Sequence, residues 1–77
     1  MKAYGVPIQV QAQNGQLISL EWRRRTCRVN RILDRWILQS RWWEREEKRC
    51  YYLLHTDLGE MEIYRSGAGW VLSRVLD

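Results

Sequence analysis

Few residues in this chain have the types and spacing that catalysis needs. The single histidine, His55, could serve as a general base, yet Asp57 is the only carboxylate near it in sequence. A catalytic imidazole needs such a partner to fix its tautomer and aim its free nitrogen. Cys27 and Cys50 stand 22 residues apart, no CxxC occurs, and His55 is not at ligand spacing from either. A zinc site would therefore need Asp or Glu to complete it, and no spacing suggests one. Both cysteines lie in apolar, strand-like runs and read as reduced core thiols. Glu44, Glu46 and Glu47 read as a charged loop, and Glu60 and Glu62 as an exposed strand face. No Ser/His/Asp or Cys/His arrangement appears, and no Gly-rich loop precedes a helix. A domain this thin also leaves little room for a small-molecule pocket of ~300 Å³ or more. The expectation is a non-enzyme, with no catalytic residue, metal or cofactor.

Residues suited to binding are more plentiful. The chain has five Trp and four Tyr but no Phe. Trp22, Trp36, Trp42, Trp43 and Trp70 are interleaved with Arg23, Arg24, Arg25, Arg28, Arg35, Arg41 and Arg45. Exposed rings stack on bases at ~1–3 kcal/mol each, while Arg neutralises phosphate. Trp is also the largest core filler, and Arg packs well against it. Trp22, Trp36 and Trp70 are expected in the core. Trp42 and Trp43 are adjacent, so in an extended segment they point opposite ways and one is expected to be partly exposed. An exposed Trp flanked by Arg suits a binding hot spot. The candidate binding residues are Trp42 and Trp43 with Arg23, Arg24, Arg25, Arg28, Arg35 and Arg41.

Charge follows the same division. The formal net charge is +4, and eleven of the thirteen basic residues are Arg. Met1–Trp22 carries only Lys2 and Glu21. Arg23–Arg49 carries ten basic residues against Asp34, Glu44, Glu46 and Glu47, a net +6. Cys50–Asp77 carries Arg65 and Arg74 against Asp57, Glu60, Glu62 and Asp77, a net −2. An Arg-rich middle suits nucleic acid or an acidic protein surface. It equally suits a solvated face whose Arg stems cover apolar area.

The elements that position these residues are read from a period of two. Val6, Ile8, Val10 and Ala12 alternate with Pro7, Gln9, Gln11 and Gln13, and Pro7 predicts an edge position for the start of this strand. Asn14-Gly15 predicts a hairpin turn into Leu17–Trp22. Arg23-Arg24-Arg25 reads as a tight polar turn that lacks Gly. Thr26–Leu38 is a longer run whose apolar parity switches near Asn30–Leu33, predicting a bulge or sharp bend. A helix over Asn30–Gln39 fits the spacing too, but β-branched and aromatic content favours strand. Gln39–Lys48 reads as a loop or a widened hairpin. Arg49–Thr56, Glu60–Arg65 and Trp70–Leu76 are further strands, separated by Asp57-Leu58-Gly59 and Ser66-Gly67-Ala68-Gly69.

Seventy-seven residues make one domain, residues 1–77, which buries only about 60% of its unfolded surface. The fold class is all-β, with little or no helix: a small six-stranded antiparallel barrel or strongly bent meander sheet, SH3-like, because closure removes exposed edges. No apolar run approaches the ~20 residues of a membrane helix. Met1–Val10 lacks the pattern of a secretory signal, so a cytoplasmic setting is expected. The strand Val6–Ala12 offers an edge through which a homodimer could pair.

One ordered set of residues carries a resemblance. It runs through Trp22-Arg23-Arg24-Arg25, Val29, Ile32-Leu33, Trp36 and Trp42-Trp43-Glu44. It continues through Arg49-Cys50-Tyr51-Tyr52, Glu62-Ile63-Tyr64-Arg65, Gly69-Trp70-Val71-Leu72, Arg74 and Asp77. From Pro7 to Asp77 the chain resembles a small bacterial domain of unknown function. That domain occurs alone and at the C-terminal end of Y-family polymerase-like proteins of the ImuB type, accessory factors in damage-induced mutagenesis. Arg24 stands where the family often has Gly, and Cys27 where it often has an aromatic. The family has no catalytic residues to carry over. The resemblance implies an accessory module in a DNA-repair or translesion-polymerase setting, binding a protein partner. The alternative is a nucleic-acid-binding barrel using Arg23, Arg24, Arg25, Arg28, Arg31, Arg35 and Arg41, which requires these Arg to converge on one face.

Overall fold

The computed structural model describes residues 2–42, 45–67 and 69–76. Six antiparallel strands follow one another: β1 (Lys2–Gln13), β2 (Gln16–Trp22), β3 (Arg25–Trp42), β4 (Arg45–Thr56), β5 (Gly59–Ser66) and β6 (Gly69–Leu76). Each pairs with its sequence neighbours, and β1 also pairs with β6, so the sheet is a closed barrel rather than an open meander. Among the described residues no helix is long and apolar enough to cross a membrane.

Two strands close the ring by changing partners part-way. β1 pairs with β6 from Lys2 to Ile8 and with β2 from Gln9 to Gln13. β3 pairs with β2 from Arg25 to Arg28 and with β4 from Val29 to Trp42. The β3 corner carries two register shifts, Val29/Arg31 and Ile32/Asp34, where the apolar parity switches in the sequence. Bulges bend a strand and increase its twist, which a small closed sheet needs. The helix alternative over Asn30–Gln39 is not adopted, because this segment is laddered to β4. Asp57 fastens the corner from the end of β4. Its Oδ1 accepts the Arg28 backbone N–H at 3.2 Å, and its own N–H donates to the Arg28 carbonyl at 3.1 Å.

Two expectations change and one holds. Gln39–Lys48 is neither a loop nor a widened hairpin: pairing continues without a shift from Gln39↔Lys48 to Trp42↔Arg45. The edge reading holds at the start of β1: Lys2–Ile8 pairs with β6 alone, and among the described residues no strand lies along its other side. Pro7 is tolerated because it opposes Val71 in the half of β1 that has no β2 partner. Trp22, Trp36 and Trp70 are half-buried rather than core. Trp22 and Trp70 share a strand face with the buried Leu20 and Leu72 but stand near strand ends, so they pack against the core's margin, and Trp36 lies outside it.

The core is aliphatic and sulfur-containing: Ile8, Leu20, Cys27, Leu54, Met61, Ile63, Leu72 and Val75. Leu54, Ile63, Leu72 and Cys27 are completely buried. Cys27 is thus a core thiol as read from the sequence, whereas Cys50 is only half-buried, beyond the packed interior. On the outside, Glu62 is also nearly sequestered and is held by Arg74 Nη2 at 2.9 Å.

The β1–β2 and β2–β3 hairpins use the same turn with different residues. Asn14 and Gly15 have φ of 53° and 78°; Arg23 and Arg24 have φ of 53° and 61°. Two successive left-handed residues match the twist of the flanking strands. For Asn-Gly this is cheap, whereas each Arg carries a steric cost of ~1–2 kcal/mol. The Arg23 guanidinium offsets part of that by lying over Trp22, 4.6 Å from its ring centroid, and over Tyr4 at 5.4 Å.

Two outcomes follow for stability. Leu54→Ala should cost about 2–5 kcal/mol, up to about half of the roughly 5–10 kcal/mol available to a domain of this size, as read by urea unfolding. Arg24→Gly should stabilise by about 1 kcal/mol, a rise of about 4–8 °C in Tm. A fall in Tm on thermal denaturation would show that the Arg24 side chain stabilises the turn.

Candidate binding surface

Strand alternation fixes which side chains face outward. In β4, Leu54 and Thr56 point into the barrel, so Tyr51, Leu53 and His55 point out. In β5 and β6 the same logic places Tyr64 and Val71 outside, opposite to the buried Ile63 and Leu72. The register then lines these residues up: Trp36↔Tyr51, Tyr51↔Tyr64, Tyr64↔Val71 and Val71↔Pro7. A row of apolar and aromatic side chains therefore crosses five strands on the outer surface. Trp36 and Tyr51 are stacked, with centroids 5.4 Å apart and planes within 7°. Tyr51 and Tyr64 follow at 5.0 Å.

Arg49 closes one flank of the row. Its guanidinium carbon lies 4.6 Å from the Tyr64 ring centroid. Its Nε donates to Glu47 Oε1 at 2.9 Å and its Nη1 to Tyr51 Oη at 3.4 Å. The row is thus rigid along one side before any partner arrives, which lowers the entropic cost of docking.

Two further aromatic groups also carry an Arg. Tyr4 and Trp22 meet edge to face at 5.1 Å under Arg23. Tyr52 and Trp70 meet at 5.5 Å, with Arg65 5.9 Å from the Trp70 ring. Every Tyr, and every Trp whose side chain is described, thus belongs to one of three groups, each with a guanidinium over a ring.

The candidate Arg residues do not gather. Arg23 and Arg24 form the β2–β3 turn, and Arg25 opposes Trp22. Arg28 opposes Ser19 on the outside of the β1–β2–β3 half of the barrel. Arg31 opposes exposed His55 near the corner. Arg35 opposes Tyr52, on the face of the β3–β4 ribbon opposite to Trp36, with its backbone N–H bonded to Asp34 Oδ1 at 2.8 Å. Arg41 and Trp42 pair in register with Glu46 and Arg45. The side chains of Arg41 and Trp42, and all of Trp43, lie outside the described residues, as does the question of which ring of the pair is exposed. Sequence reasoning missed Arg49, Arg65, Tyr51 and Tyr64. The Tyr residues were visible as alternation, but only the cross-strand register brings them together.

An open hollow of about 580 Å³ lies at the β3 corner, lined by Ile18, Ser19, Thr26, Arg28, Asn30 and Asp57. A thin domain thus does leave room for a concavity, although it sits on the surface. Among the described residues no group of three or more His, Cys, Asp and Glu could hold a metal ion. Comparison with protein-family models, curated proteins and solved structures finds no match to this chain.

Burial raises the Cys27 thiol above its ordinary range, and the Asp57 charge adds to the effect. The folded chain therefore holds that proton more tightly than the unfolded chain. This contribution to stability is complete below the ordinary thiol range, from ~8.5 upward, and is lost as pH rises through the raised value. In the native protein a thiol reagent should label Cys50 and spare Cys27 until denaturant is added. Rapid native labelling of both would contradict the burial of Cys27.

Proposed function

We propose that the chain is a non-catalytic interaction module that docks a protein partner on the outer row Trp36–Tyr51–Tyr64–Val71–Pro7. The carrying observation is the row itself: five apolar side chains aligned across five strands, outside a barrel whose core is already complete. Aromatic residues aligned and braced in this way are the usual anchors of protein interfaces. The partner is expected to bring apolar side chains to the row. The resemblance to the small bacterial domain of ImuB-type proteins supports a cytoplasmic DNA-repair or translesion-polymerase accessory setting. The nucleic-acid reading needed the Arg of the middle third on one face, and their dispersal over the turn, the corner and both faces of the ribbon favours the protein reading.

The test is selection of peptides from a random display library on the purified chain. Selected peptides should weaken about tenfold or more on Trp36→Ser and on Tyr64→Ser, with the far-UV circular dichroism of both variants unchanged. Peptides that bind these variants as well as they bind wild type would overturn the assignment of the row. Labelled oligonucleotides, titrated at two salt concentrations, provide the other arm. Binding that weakens steeply with salt and quenches Trp emission would establish the nucleic-acid reading instead.

A further inference from the structure

The edge of β3 that faces away from β4 is open over most of its length. Its pairing with β2 ends at Arg28, and among the described residues no strand lies beside that edge from Val29 to Trp42. β5 accompanies β4 only as far as Cys50↔Arg65. Beyond Ile37↔Cys50 the hairpin is therefore a two-stranded ribbon standing clear of the barrel.

Natural sheets protect an open edge with bulges, Pro, Lys or short length. β3 is protected near its corner, where two bulges interrupt the ladder. From Arg35 to Trp42 the pairing with β4 is regular, the stretch has no Pro, and between Arg35 and Arg41 it carries no charged residue. Trp36, Ile37 and Leu38 run consecutively within it. Ile37 and Leu38 are 51% and 52% exposed, the most exposed large apolar side chains among the described residues. A two-stranded ribbon alone in water is only marginally stable, and a third strand stabilises it.

The order of residues on this edge says what that third strand is. Two copies pairing about a two-fold axis normal to the sheet keep side-chain parity, so each residue meets the one equally far on the other side of a central position. Centring on residue 35 sets Arg against Arg, and centring on residue 38 sets Arg35 against the Arg at 41. Centring on residue 36 sets Asp34 against Leu38 and draws the bulge into the ladder. Centring on Ile37 sets Ile37 against itself, Trp36 against Leu38 on one face and Arg35 against Gln39 on the other. Centring on residue 39 sets Ile37 against the Arg at 41, and centring on Ile37 is the register that avoids like charges, sets the apolar residues only against one another and stays within the regular stretch.

We propose that β3 pairs antiparallel with β3 of a second copy of this chain, centred on Ile37, to give a four-stranded ribbon in the order β4-β3-β3-β4. The axis is normal to the sheet, so the outer aromatic rows of the two copies face the same way and abut at Trp36. The pairing is independent of what the row binds.

Sedimentation equilibrium of the full chain over a concentration series tests it. Wild type should show a reversible monomer–dimer equilibrium. Ile37→Lys and Ile37→Asp should each weaken dimerisation by about tenfold or more, because each sets like charges in contact at the axis. Ile37 is half exposed, so both variants should retain the wild-type far-UV signal and melting transition. An equimolar mixture of the two should recover the dimer, since Lys then meets Asp. A wild type that remains monomeric throughout, variants that dimerise as wild type does, or a mixture that fails to recover the dimer would each overturn the proposal.

Discussion

Everything in this barrel depends on β3 changing partners at the Val29–Asp34 corner. An antiparallel sheet of six short strands has two edges, and the way to remove them is to bend until the first strand meets the last. In so small a ring the bend cannot be spread evenly over many strands. It is concentrated where one strand leaves β2 and joins β4, with two bulges in close succession. The reciprocal hydrogen bonds between Arg28 and Asp57 hold this corner without help from the core. The core residues Leu20, Cys27, Leu54 and Ile63 can then meet inside the ring, with Trp22 and Trp70 at its margin.

Exclusion of the large rings has its own effect on the surface. The aromatic residues that a sequence reader assigns to the interior are displaced to its margin or its outside, where they must still shed water. They do so against one another and under guanidinium groups, in three separate clusters. Arg is suited to this because it stacks on a ring while its charge stays solvated. Two Arg of the middle third, Arg23 and Arg49, thus serve as local cover for rings. Charge count alone is therefore a poor guide to a nucleic-acid face in this chain.

The fold was largely legible because alternation, Asn14-Gly15 and the parity switch near Asn30–Leu33 are local signals. Each follows from backbone geometry that a few neighbouring residues dictate. The length of the β3–β4 ribbon was less legible: Glu44–Lys48 is charged and reads as loop, yet strand pairing tolerates charges when both faces are solvated. The surface row was not legible at all from local pattern. Tyr51 and Tyr64 become neighbours only through a register set by the Asp57–Gly59 turn, and Pro7 joins them only when the ring closes. The turn read over Arg23-Arg24-Arg25 is one residue shorter, since Arg25 already pairs in β3, and Arg23 and Arg24 carry a conformational cost that Gly would avoid.

The seam between β1 and β6 has a kinetic consequence. Five of the six pairings join strands adjacent in sequence, and their loops are short enough to close quickly. The sixth brings Ile8 to Trp70 and Lys2 to Val75, so nearly the whole chain must be looped before any of its hydrogen bonds form. Loop-closure entropy grows only slowly with length, but it must be met before the contacts repay it. The meander can therefore assemble as a row of hairpins while the seam stays open. Until it closes, β1 and β6 are two exposed edges, and the species with the greatest tendency to aggregate is a nearly complete barrel that has yet to join its ends.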